Sequence, residues 1–176
     1  MEEMFSKWVK FSEREAKLKE KDLKSPGIYA IAFDSEGKLN GNPFEYNKEI
    51  VYFGMTKQVG GLKSRLQQFD STINNGKSLH GGASRFIQFY NKNTITNWKD
   101  HLYVSIWPFY LEGFSIKELE NGGFESKDKD KAAETYAMIG EVVKAEYFCF
   151  SKYITKFDGV TKFNNQKHYP KNIDNE

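Results

Sequence analysis

The chain has 176 residues and a mass of 20.4 kDa, the size of one domain with an elaboration or two rather than a tandem array. Hydrophobic residues make up 39% and charged residues 28%, with mean hydropathy -0.70, a balance that excludes disorder of the whole chain and any collagen-like or linker-like bias. Cys149 is the single cysteine and no run approaches 18 apolar residues, so an intramolecular disulfide framework, a cysteine-based zinc site and a membrane-spanning helix are all excluded.

The opening MEEMFSKWVKFSER lacks a basic stretch followed by an apolar run, so no signal peptide is visible and a reducing cytoplasm is the expected compartment. Residues 2–23 scatter Phe5, Trp8, Val9, Phe11 and Leu18 among charges, which predicts an amphipathic helix ending before Ser25-Pro26. GIYAIAF (27–33) follows a proline and is rich in strand formers. DSEGKLNGNPFEYNK (34–48) reads as a long loop, and EIVYFGM (49–55) as a second strand antiparallel to the first. In 61–73, Leu62, Leu66, Phe69 and Ile73 recur at helical spacing. A loop over 74–82, a short helix over 83–91 and a third strand over 101–109 come next. The stretch 110–130 is acidic and reads as an insertion; 131–157 is the longest helical candidate, before an extended polar tail. This order predicts a single α+β domain: a small three-stranded, mainly antiparallel sheet flanked by helices.

Net charge is only +2, but it is unevenly distributed. Residues 51–100 carry a net +5, and 111–146 a net -4. A basic middle beside an acidic segment could set a phosphate-facing surface next to a carboxylate-bearing site, although ordinary solvated charge gives the same pattern. Lys57, Lys63, His80 and Arg85 are the candidate DNA contacts in the basic stretch. His80-Gly81-Gly82 also leads into a helix whose first N–H groups could meet a phosphate.

The long helix holds the most informative single residue. At about 100° per residue, Val142, Tyr153, Ile139, Phe150, Val143, Tyr136 and Tyr147 fall on one apolar arc, and Glu146 lies inside it. A carboxylate there needs a cation, a hydrogen-bond network or a raised pKa, unless it sits at the margin of the face. Arg65 borders the apolar stripe of 61–73, where a guanidinium could hold a phosphate or simply extend to solvent. Tyr29 and Tyr52 lie on neighbouring predicted strands and could converge, or could be amphipathic core residues. The three histidines are too far apart for a local metal motif, and 54–64 lacks the Gly-Lys-Ser/Thr element of an NTPase phosphate loop.

Taken together, these residues resemble the GIY-YIG nuclease family. Gly27-Ile28-Tyr29 is similar to the first motif and Val51-Tyr52-Phe53-Gly54 to the second, with Phe for the usual Ile. Arg65 matches the arginine of the following helix, Glu146 the late-helix glutamate and Asn164 the closing asparagine, with Asn165 as its alternative. The resemblance spans about 27–165. It implies metal-dependent hydrolysis of DNA phosphodiesters, with Glu146 anchoring Mg²⁺ (or Mn²⁺), Arg65 holding the phosphate, Tyr29 positioning or deprotonating water, Tyr52 supporting it and Asn164 bracing the site. The resemblance is compatible with a restriction-type enzyme, for which a homodimer would allow both strands of a palindrome to be cut, and next with a mobile-element or repair-type nuclease. Three departures stand out: Phe69 occupies the position four after the arginine where many members carry His or Tyr, GVTKFN lacks the usual proline before the asparagine, and the gap from Glu146 to Asn164 is long, which leaves Asn165 as the alternative. A nucleic-acid-binding module that keeps the fold without catalysis is the rival reading, and an aromatic protein-interaction domain a third.

Overall fold

A computed structural model describes residues 4–58, 60–76, 80–92, 97–110 and 129–164. In chain order they form β1 (Val9–Lys10), a 3₁₀ turn (Phe11–Glu13), α1 (Arg14–Lys17), α2 (Glu20–Lys24), β2 (Gly27–Phe33), β3 (Ile50–Thr56), α3 (Gly61–Asn75) and α4 (Gly81–Lys92). A second 3₁₀ turn (Trp98–His101), β4 (Leu102–Pro108) and α5 (Lys129–Phe157) complete the order. The strands pair antiparallel in the order β1-β4-β2-β3. The class is therefore α+β, with four strands among the described residues where three were expected.

The central strand explains the layers. Gly27–Ala32 are all buried, because β2 is covered on both faces. Its alternation sends Tyr29 and Ile31 into a cluster with Leu62, Leu66 and Phe69 of α3 and Phe86 of α4. Ile28, Ala30 and Ala32 join Val142, Ala145, Cys149 and Tyr153 of α5 on the other face. A strand buried on both sides reads as an unbroken apolar run, which is what GIYAIAF is.

The fourth strand corrects the helix expected over 2–23. Trp8 packs into the α5-side cluster, whereas Phe11 packs into the α3-side cluster with its ring 5.2 Å from Phe69. An extended chain running along the edge of β4, with Val9 opposite Val104, can supply both layers; one helix face cannot. Along α5, Tyr136 and Tyr147 are 45% and 49% exposed, so the buried stripe is narrower than the apolar arc of the sequence. That follows from α5 lying against only one face of the sheet. Most of the insertion expected at 110–130 and the tail from 165, including Asn165, lie outside the described residues. No described helix is long and apolar enough to cross a membrane.

The open edge of β3 is closed by the segment after α5. Phe163 N–H donates to Val51 O at 2.9 Å, and the Asn164 amide bonds both backbone groups of Phe53, accepting at 2.9 Å and donating at 2.6 Å. A side chain thus completes a ladder that would otherwise be unpaired. At the opposite end, buried Arg14 holds α3: it donates to Phe11 O (2.8 Å), pairs with Asp70 (3.2 Å) and stacks over the Phe11 ring. Arg14→Ala should cost about 1–3 kcal/mol by leaving these partners unmet. Urea denaturation checks this; an unchanged midpoint would show that the N-terminal segment does not secure α3.

Candidate active site

The β2–β3 register places Tyr29 opposite Gly54 and Ile31 opposite Tyr52, so both tyrosines point to the α3–α4 face of the sheet. A Cβ at position 54 would collide with the Tyr29 hydroxyl and the Tyr52 ring. Glycine leaves the passage through which the Tyr29 hydroxyl reaches His80 Nε2, 2.6 Å away. Gly27 has the same reason to be glycine: a Cβ there would strike the backbone of β4 at Trp107.

Beside this pair, at the edge of β3, a cleft of about 350 Å³ opens between α3, α4 and α5. Tyr52, Met55, Arg65, Gly81, Gly82, Arg85, Val143, Glu146, Tyr147, Phe150 and Asn164 line it. Four of the five residues expected to be catalytic are therefore brought to one cleft. The fifth, Tyr29, is fully buried beneath it, its ring 6.0 Å from that of Tyr52. Arg65 donates from Nη1 to Gln68 Oε1 at 2.9 Å, while its buried Nε has no hydrogen-bond partner. Arg85 reaches back to Phe163 O (2.5 Å) and so ties α4 to the segment that carries Asn164.

Burial dominates the electrostatics. It lifts the Glu146 carboxyl from 4.5 to about 7, and Arg65 across the cleft offsets only part of that rise. Burial, reinforced by the neighbouring Tyr52, pushes the Tyr29 phenol well above its usual range against the pull of Arg65. Tyr52 is raised too, by burial and by the charge of Glu146, although contact with Tyr29 lowers it in part. His80 is depressed to about 3, by burial first and then by Arg65 and Arg85.

The expected DNA contacts divide. Arg85 lines the cleft. His80 is buried, 1% exposed, and faces Tyr29 rather than solvent. Lys63 pairs with Glu15 at 3.2 Å; two residues from Arg65 is about 200° around a helix, so the two cations face opposite ways. Lys57 is exposed between β3 and α3. Phe69 is fully buried with its ring edge against His80, at 5.2 Å and 73°. Sequence reasoning missed Gln68, whose signal was its i+3 spacing from Arg65, and the apolar cleft wall of Met55, Val143 and Phe150.

No family model, curated protein or solved structure matches this chain. Among the described residues no three His, Cys, Asp or Glu side chains gather as a metal-binding group. Glu146 is nonetheless the only carboxylate among the described residues that line the cleft, and burial raises its pKa with Arg65 opposing the rise. That donor set fits Mg²⁺, which is held by one or two carboxylates together with waters and substrate phosphates.

The raised carboxyl makes a stability prediction. A group whose folded pKa lies above its unfolded value contributes stability below the unfolded value, and loses it as pH rises through the folded one. Glu146→Gln should therefore match the native protein near pH 4 and exceed it by about 1–3 kcal/mol near pH 8. Urea denaturation at the two pH values decides; equal stabilities at both would mean the carboxyl is not strained.

Proposed function

We propose that this protein is a metal-dependent DNA endonuclease of the GIY-YIG kind, cleaving phosphodiester bonds. The observation that carries the proposal is the convergence of Tyr52, Arg65, Glu146 and Asn164 on one cleft, over Tyr29, from four separate segments of the chain. A structural ion pair would have joined Arg65 to Glu146; instead Arg65 bonds Gln68 and keeps an unpartnered N–H. A cation and an anion held on one cleft and not consumed by each other suit a phosphate with an accompanying metal ion.

In this scheme Arg65 holds the scissile phosphate and stabilises the charge that develops on its oxygens. Arg85, on the same lining, adds positive potential for the nucleic-acid backbone. Glu146 is the residue that would hold Mg²⁺ or Mn²⁺; when bound, such an ion supplies Lewis-acid stabilisation of the phosphate and the leaving oxygen. Tyr52 is the phenol that first meets a bound phosphate or its attacking water, and Tyr29 supports it from one layer below. Asn164 touches no reacting atom in this scheme: it braces β3 by bonding Phe53, directly between Tyr52 and Gly54. A homodimer would bring two such clefts to one duplex, as cutting both strands of a palindrome requires.

Plasmid cleavage tests the proposal. The native protein should nick or linearise DNA with Mg²⁺ or Mn²⁺ and not with EDTA. Glu146→Ala should remove that activity, and Arg65→Ala should lower kcat by about 10²–10³-fold. Salt-sensitive binding with no cleavage, across plasmids and whole genomic DNA, would instead favour a binding module that keeps the fold without catalysis.

A further inference from the structure

The contacts of His80 have a direction. His80 precedes the first residue of α4, and its Nδ1 accepts the N–H of Ala83 at 3.2 Å, the third amide of that helix. The ring thus does for α4 what an Asn or Ser side chain does at a helix start. A nitrogen that accepts carries no proton. In a neutral imidazole the hydrogen must then be on Nε2, and Nε2 is the atom 2.6 Å from the Tyr29 hydroxyl. Burial and the two nearby guanidinium groups, Arg65 and Arg85, keep the ring neutral.

We infer that His80 is a positioning residue of this site, locked by the first turn of α4 in the Nε2–H form and donating that hydrogen to the Tyr29 hydroxyl. The inference rests on the proposed nuclease function for its catalytic consequence, but not for its geometry. Two results follow. His80 cannot take the phenol proton, since one ring nitrogen is occupied by α4 and the other is already protonated. Tyr29, having accepted from His80, must direct its own hydrogen elsewhere, on the side away from the ring. The ring also braces the second tyrosine: its centroid is 5.8 Å from that of Tyr52 in an edge contact. A Cβ at Gly82 would meet Tyr52 at 2.8 Å and His80 at 3.1 Å. The start of α4 is therefore packed directly against the Tyr52 ring, and position 82 has no room for a side chain unless that ring shifts.

Two substitutions separate the cap from the donor. His80→Asn keeps a strong helix cap but is too short to reach Tyr29; His80→Gln extends an amide donor toward Tyr29 and caps less well. With native protein labelled at histidine nitrogen, two-bond ¹⁵N–¹H correlation should show His80, identified by its loss in His80→Gln, as the Nε2–H tautomer from pH 5 to 8. The Nδ1–H tautomer, or protonation near the usual histidine pKa, would overturn the inference whether or not the protein cleaves DNA. In cleavage, His80→Asn should lower kcat by about 10–100-fold with KM for DNA unchanged, and His80→Gln should recover part of the loss. Equal activity of both variants and the native enzyme, or a loss confined to KM, would contradict the positioning role. A native protein that fails to cleave any DNA would count against the nuclease proposal while leaving the tautomer result to stand.

Discussion

Everything at the cleft depends on one cross-strand pair, Tyr29 opposite Gly54. A one-residue slip of β3 would turn Tyr52 to the α5 face and place a side chain over the Tyr29 hydroxyl. The apolar demand of both faces opposes such a slip, because it would also exchange the buried residues Phe53 and Val51 between layers. The register that fills the core is thus the register that opens the passage to His80. Fold stability and site geometry are the same requirement on these two strands.

The position of the cleft follows from β3 being the last strand of the sheet. In the interior of a sheet the two helical layers are separated by backbone. At its edge they come within reach of one another, so Arg65 from α3, Arg85 from α4 and Glu146 from α5 share a space. An edge strand ordinarily invites unwanted pairing. Here the Phe163–Asn164 segment occupies it, and Arg85 in turn holds that segment. The cost of the arrangement is electrostatic: one partly buried carboxyl, two phenols and an imidazole are all displaced toward their neutral forms. Such displacement is common where a site awaits a charged ligand.

Much of this architecture was legible in the residues. GIYAIAF, EIVYFGM and HLYVSIWPF are short runs bounded by turn signals, and each became a strand within a residue or so. The stripe of Leu62, Leu66, Phe69 and Ile73 and the length of the last helix were equally plain. Glu146 stood out because a charge interrupted an apolar arc. What could not be read was any contact that depends on tertiary placement. The N-terminal segment has the composition of an amphipathic helix, yet Trp8 and Phe11 serve opposite faces of the sheet. Lys63 and Arg65 lie in one basic stretch and are separated only by the helical turn. His80 read as a loop residue and a candidate DNA contact, because its partners are 51 residues before it and three after it. Phe69 read as a departure from the family pattern, and in the fold its buried ring packs against the imidazole of His80.

The proposed nuclease function requires the cleft at the β3 edge to hold a divalent metal and a phosphate together. Diffraction from a crystal of the protein with Mn²⁺ and a short DNA duplex, collected at the manganese absorption edge, would locate both. The expected result is an anomalous peak bonded to a Glu146 carboxylate oxygen, with a DNA phosphate between it and Arg65. Manganese bound elsewhere, or DNA lying across another face with the cleft empty, would contradict it.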